Sequence, residues 1–262
     1  MTTSGTVISA GATTVALPTG VWVRMYLRLF AVQGSWNYES LLGNGIAFCM
    51  EPALRLLPGG TTGARYSEAL GRHARYFNAH PYLAGVAVGA LARAELDGVP
   101  PVLIERFRTA LGGPLGSVGD RLVWASWLPL CSLLALGAFG FGARPVLVVA
   151  IFLGTYNLGH LLLRAWGLRV GFNKGLRVAD ALAHPVLRRG PQVVGSAAAL
   201  VAGAAIPLAA SRLIGGGRFL SAEIILLAML GGVLLARFGG RIEGWRLSLA
   251  ILALFVLFSV IR

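Results

Sequence analysis

Charge is what this chain has little of. Only 13% of its 262 residues are charged, while 56% are hydrophobic. A soluble domain carries about twice that share of charge. A water-soluble globular fold is therefore set aside, and lipid is the simpler solvent. Acidic residues are the scarcest, 10 against 23 Lys and Arg. Cysteine is almost missing. Cys49 and Cys131 stand 82 positions apart in apolar surroundings with no CxxC spacing. That excludes a disulfide framework and a thiolate metal centre, and no cofactor or metal is expected. The start of the chain, MTTSGTVISAGATTVALPTG, lacks the basic residues of a signal peptide and reads as a flexible tail over 1–20.

What the chain does have is long apolar runs, mostly after residue 121. A bilayer core of about 30 Å takes roughly 20 apolar residues as helix. Five segments answer to this: Leu122–Gly142, Pro145–Trp166, Gln192–Ile214, Phe219–Ala236 and Trp245–Ile261. Glu223 lies close to one end of the fourth and does not veto it. The fold class is an all-α integral membrane protein, with about five transmembrane helices over 122–262. The net charge of +13 would point to nucleic acid in a soluble protein. Here the charges fall between apolar runs. With the N-terminus inside and five spans, 19 Lys and Arg lie inside and 4 outside, as the positive-inside rule requires. The expected placement is multi-pass, with a cytoplasmic N-terminus and an external C-terminus, and no nucleic-acid partner.

Residues 21–121 differ. Leu42–Leu57 and Tyr82–Ala94 are apolar but too short to span comfortably. Such segments are re-entrant, interfacial or buried against protein, and the expected form of 21–121 is a cytoplasmic and interfacial region with an amphipathic helix and short re-entrant hairpins. Between them, YSEALGRHARYF (Tyr66–Phe77) places Tyr66, Leu70, Ala74 and Phe77 on one helical face, with Arg65, Arg72 and Arg75 elsewhere. This predicts an amphipathic helix on the cytoplasmic membrane surface, with Ser67 as its cap.

Four motifs carry polar chemistry. GSWNYES (Gly34–Ser40) groups an indole, an amide, a phenol and a carboxylate. That set suits a sugar, whose C–H face stacks on a ring while its hydroxyls need donors and acceptors. Trp and Tyr also anchor helices at headgroups, which is the competing reading. FNAHPY (Phe77–Tyr82) ends the amphipathic helix, because a residue before proline is pushed to extended backbone. His73 and His80 have no acid–base partner at a recognisable spacing, which disfavours a phosphoryl acceptor. GGPLGSVGD (Gly112–Asp120) makes a regular helix improbable. A broken helix there would expose backbone groups to a substrate cavity, and an ordinary loop is the alternative. The block has no lysine of a phosphate loop and is no GxSxG elbow. Finally, Asn157, His160 and Arg164 share one face of the second span, for helix packing or for a pathway.

Taken in order, SWNYE, RHARYFNAHPY, GGPLGSVGD–RLVW and RAWGLRVGFNKG resemble the IID component of the mannose-type phosphotransferase system, over about Leu29 to Val201. The resemblance implies a membrane subunit that moves a hexose-type sugar with a IIC subunit. It also implies separate cytoplasmic IIA and IIB subunits that carry the phosphoryl group, and higher-order IIC–IID assemblies in a bacterial cytoplasmic membrane. The chain itself would be neither phosphorylated nor an enzyme. By resemblance, Gln33, Ser35, Trp36, Asn37, His73 and Asn78 are candidates for contact with sugar or IIC. Gly113, Pro114, Gly116, Gly119 and Asp120 form the candidate broken-helix segment. The chain departs from the family in having Arg121 where a proline often follows Asp120, and in the short SRLIGGGRFL connection. A non-transporting scaffold or sensor is the alternative function. A hydrolase built on Ser117 is a weaker third.

Overall fold

The computed structural model describes residues 16–183 and 185–214, and single positions at 226, 229, 233 and 237. The expected spans Phe219–Ala236 and Trp245–Ile261, the greater part of the tail and the C-terminal end lie outside the described residues, those single positions aside.

Among the described residues all regular elements are helices. In chain order they are α1 (Thr19–Arg28), α2 (Gly43–Leu54), α3 (Ala64–Ala74), α4 (Ala84–Leu96) and α5 (Pro101–Gly119). A π-helical stretch, Asp120–Trp127, leads into α6 (Leu128–Gly140). Then come α7 (Pro145–Lys174), the short α8 (Ala179–Leu182) and α9 (Pro185–Ile214). Among the described residues, three helical runs are long and apolar enough to cross a bilayer: Pro101–Gly140, Pro145–Arg177 and Leu187–Leu213.

The chain divides into two compact units. The first holds residues 1–119 and 160–184. In it α2 packs against α1, α3 and α4. The short apolar segments of the sequence are α2 and α4, and both are buried almost end to end. Alanine and glycine make this possible for α4. Gly85 and Gly89 of α4 face the stretch of α7 that holds Gly167 and Gly171, and at Gly89 and Gly171 only backbone atoms of the other helix stand against the glycine. A Cβ on Gly89 would lie 2.3 Å from the Leu168 carbonyl oxygen, and one on Gly171 would lie 2.2 Å from that of Val86. This is the small-xxx-small crossing that serves where apolar burial gives helices no preference for one another over lipid. α4 stops at Asp97-Gly98, where Gly98 takes φ +69°, a conformation open to glycine at little cost.

The second unit holds residues 120–159 and 185–262. There α6 packs on α9, and a Cβ on Gly140 would meet the Leu208 Cβ at 2.6 Å. The Ser126 hydroxyl lies 2.8 Å from the Arg121 carbonyl and 3.0 Å from that of Pro191. It thereby ties the π-helical stretch to the start of α9.

Three expectations are corrected. Gly112–Asp120 is not a broken helix. α5 runs through Gly112, Gly113, Pro114, Gly116 and Gly119, and Asp120 begins the π-helical stretch. The physical reason is that two glycines serve close approach rather than turning. A Cβ on Gly112 would lie 2.8 Å from the Asn78 carbonyl oxygen, and one on Gly119 would lie 2.2 Å from the His80 Cβ. Pro114 lies inside α5 on its exposed side, and the wider π turns follow six residues later. Second, α3 ends at Ala74, short of Phe77, because Arg75 turns to extended backbone. Tyr66, Leu70 and Ala74 are half-buried beside the buried Ala69 and His73, and Phe77 is buried beyond the helix end. Third, Ser67 does not cap α3. The helix starts at Ala64 behind Gly63, and the Ser67 hydroxyl donates to the Ala64 carbonyl at 2.9 Å.

Candidate functional site

Gln33, Ser35, Trp36 and Asn37 lie together on one exposed loop between the 3-10 turn Leu29–Ala31 and α2. Asn37 organises that loop. Its Oδ1 accepts the backbone N–H groups of Glu39 and Ser40, both at 2.9 Å, and its carbonyl accepts that of Leu41 at 2.9 Å. An asparagine does this because its short side chain mimics a backbone turn. The loop ends at Leu41, whose φ of +47° is unusual for a branched residue. A backbone strap pays for it: Phe77 N–H donates to Ser40 at 3.1 Å, and Leu42 N–H donates to Phe77 at 3.0 Å. Gly43 permits the approach, since a Cβ there would lie 1.9 Å from the Arg75 carbonyl oxygen. Asn78 follows Phe77 and is exposed. The strap thus joins the Gln33–Asn37 loop to the Asn78 segment. Trp36 and Tyr38 meet edge to face at 4.9 Å, and Tyr38 is 87% exposed.

His73 is not on that surface. It is wholly buried, and its Nε2 lies 2.8 Å from Glu95 Oε1. Arg72 Nε donates to the same oxygen at 3.1 Å, and Arg65 donates to the Glu95 carbonyl at 3.2 Å. Arg108 of α5 donates to the carbonyls of His73 and Arg75, satisfying the open C-terminus of α3. Burial, helped by the Arg108 and Arg72 charges, pulls the His73 imidazole below its ordinary value. Burial opposes the Glu95 carboxylate, yet the His73 and Arg72 contacts hold it below the usual range. Neutral His73 therefore donates to ionised Glu95. Sequence reasoning found His73 but not Glu95, because a pair 22 positions apart has no local spacing.

A second polar group is held by α7. Arg164 is buried, and its guanidinium donates to the Leu29 carbonyl. It lies 5.4 Å over the Phe30 ring and 4.8 Å over the Tyr82 ring. His160 stacks on Tyr82 at 5.0 Å and meets Phe30 edge-on at 6.2 Å. Asn157, assigned to the same face, belongs to the second unit and donates to Leu153 in its own helix at 2.6 Å. α1 runs antiparallel to this part of α7. Trp22 meets Phe172 at 6.4 Å, the Tyr26 hydroxyl donates to the Leu161 carbonyl at 3.2 Å, and Phe30 reaches His160.

In the glycine-rich segment, Gly119 packs under His80. Gly113 and Gly116 have open space at their Cβ positions, and Pro114 and Asp120 are exposed. His80 is buried, and its Nδ1 accepts the Tyr82 N–H at 3.2 Å. No group of His, Cys, Asp and Glu among the described residues has metal-binding geometry. The exposed loop offers an amide, an indole, a phenol and a hydroxyl for hydrogen bonding and stacking.

Residues 17–214 match the family model of the mannose/fructose/sorbose family IID component of the phosphotransferase system. The mannose-specific EIID component of Escherichia coli K12 is 31% identical over 170 residues, covering 63% of this chain and 59% of that protein. The fructose permease IID component of Bacillus subtilis is 32% identical, over 61% of this chain and 58% of that protein. The sorbose-specific EIID component of Klebsiella pneumoniae is 34% identical, over 65% and 62%. The chain thus matches less than two thirds of the length of these relatives. A chain in the cryo-EM structure of the mannose transporter ManYZ with microcin E492 superposes with TM-score 0.57 at 22% identity, over 94% of this chain and 96% of that one. A second solved membrane protein gives 0.63 at 21% identity, over 94% and 98%. These two likenesses show the fold.

Proposed function

This chain belongs to the IID components of the mannose/fructose/sorbose phosphotransferase systems, and from that premise we propose that it forms a sugar translocation pathway together with a IIC subunit. The observation that carries this reading is the exposed Gln33–Asn37 loop. α1 follows α7 from Phe172 towards His160, inside the candidate span Pro145–Arg177. In this reading the loop begins at membrane depth, where exposed amides and hydroxyls do not face lipid. They face water or another chain. A hexose needs such groups, and so does a polar seam with IIC. Trp36, Asn37 and Asn78 line this surface in the proposal, with Gln33 and Ser35 beside them. His73, on the buried face of α3, holds the surface from behind and touches neither sugar nor partner in this reading.

In this reading the short helices α2 and α4 are re-entrant, residues 122–262 hold five spans, the N-terminus is cytoplasmic and the C-terminus external. Cytoplasmic IIA and IIB subunits supply the phosphoryl group, and IIC–IID units assemble further. The chain by itself carries out no chemistry. The test is uptake and phosphorylation of labelled mannose, fructose and sorbose in a strain lacking this chain. Restoration by the wild type with its IIC, IIB and IIA partners is expected, with at least a tenfold loss for Trp36→Ala at unchanged complex level. Uptake that is normal without the chain sinks the proposal. An intact complex with no flux for any of the sugars favours a scaffold or sensor instead.

A further inference from the structure

The sequence places Arg164 on one face of the second span with Asn157 and His160, and its surroundings in the structure are specific. It is 4% exposed and sits at the level where α1 ends. Its three contacts come from two separate stretches of chain. Leu29 and Phe30 lie immediately before the Gln33–Asn37 loop, and Tyr82 lies four positions after Asn78. Both stretches are also tied at their other ends by the Ser40–Leu42 strap to Phe77. The loop and the Asn78 segment are therefore fixed at two points: a pair of backbone hydrogen bonds on one side and one guanidinium on the other. His160 completes the second point by stacking under Tyr82. A planar guanidinium suits the task, because it stacks on rings with its faces while its edge donates to a carbonyl. Lysine keeps the charge but loses the flat stacking and the fork.

We propose that Arg164 is a positioning residue, which sets the spacing between the Gln33–Asn37 loop and Asn78 and through it the affinity for sugar. The sugar part rests on the transport reading above, and the spacing part does not. Loss of the clamp frees the two segments to separate while the strap still holds their other ends. The sugar site then loses its preformed geometry, which weakens binding before it slows any later step.

The experiment uses the full chain assembled with its IIC, IIB and IIA partners, with mannose, fructose and sorbose as probes. Arg164→Lys and Tyr82→Leu each remove part of the clamp and leave the rest, so the complex is expected to assemble. The expected result is a three- to tenfold rise in the apparent KM for the transported sugar, with maximal rate per assembled complex within twofold of wild type. Arg164→Met is expected to raise it further than Arg164→Lys. A fall in the amount of complex with unchanged KM in what survives overturns the proposal, since that is the mark of a purely structural residue. A second readout is independent of transport. Spin labels at Ser35 and Asn78, in a background with Cys49 and Cys131 replaced by alanine, report the spacing by electron paramagnetic resonance. A broader or longer distance distribution in Arg164→Lys is expected. An unchanged distribution overturns the clamp even if no sugar is transported, whereas a wild-type complex that moves no probe sugar sinks only the transport reading.

Discussion

Gly89 of α4 lies so close to Gly171 of α7 that a Cβ on Gly89 would sit 3.1 Å from the Gly171 carbonyl carbon. Four glycines, two per helix, create this approach. It explains how a helix of only 13 residues is buried on nearly all sides. Its small side chains let neighbouring backbones and rings close around it.

The crossing gives a first prediction. Gly89→Leu and Gly171→Val force the helices apart, because the obstructing atoms are backbone and cannot rotate away. Overpacking of this kind costs about 1–3 kcal/mol and sometimes more. The yield of folded protein in detergent, measured by size-exclusion chromatography, is expected to fall severalfold.

The helical reading of the glycine-rich segment gives a second. Gly113→Ala and Gly116→Ala meet open space and, in a helix, are expected to stabilise by about 0.4–1 kcal/mol. Gly119→Ala collides with the His80 ring and is expected to destabilise. If alanine at 113 and 116 abolishes folding, the segment is not a helix. Thermal unfolding of the purified protein separates the two outcomes.

These glycines also show how much was legible. The three described spans follow from apolar length alone, and the structure has helices over each of them. The short apolar segments, expected as re-entrant hairpins, are the helices α2 and α4, and both are buried against protein. Glycine at 112 and 119 misled, because glycine marks either a turn or a close approach and only the neighbour decides which. Helical periodicity scores apolar side chains, and it marks the half-buried Tyr66, Leu70 and Ala74 of α3. It does not register that buried His73 finds Glu95. Of the site, the residues of the Gln33–Asn37 loop and Asn78 were named from chemistry and resemblance. The strap and the Arg164 clamp join residues 35 to 135 positions apart, which no local pattern records.

The His73–Glu95 pair predicts acid sensitivity. His73 is held below its ordinary value of 6.5, so the folded state resists the proton that the unfolded chain accepts. That penalty is absent well above pH 6.5 and grows as pH falls below it. Glu95, held below 4.5, adds a loss in the same direction at lower pH. Each such group changes stability by at most about 1.4 kcal/mol per pH unit. The melting temperature is expected to drop between pH 7.5 and 5.5, and His73→Gln is expected to flatten that slope while lowering stability at pH 7.5.

Glu51 is the corresponding anchor between α1, α2 and α3. It accepts from Arg28 at 2.8 Å, from Tyr66 at 3.0 Å and from Arg55. Removing a partly buried acceptor strands its donors, at a cost of about 3 kcal/mol for a buried charged pair. Glu51→Ala is expected to destabilise well beyond Arg55→Ala, whose side chain is half exposed. Denaturant or thermal melts compare the two.

Cys49 is buried in α2, and burial pushes its thiol up to about 12. The thiolate is the reactive form. Maleimide is expected to leave Cys49 unmodified in the folded protein at pH 7 and to modify it after denaturation, as mass spectrometry reads directly.

The contact between Arg164 and Leu29 spans 135 positions, and every group described around that guanidinium precedes it in the chain. The order of synthesis matters as a result. When the ribosome delivers α7 to the membrane, the carbonyl and the two rings that shelter Arg164 already exist. A charged side chain that would resist entering lipid alone finds its company waiting. The reverse arrangement would leave a bare guanidinium at the insertion machinery until later residues arrived. Transplanting α7 ahead of α1 by circular permutation would impose that reversal on an unchanged set of contacts.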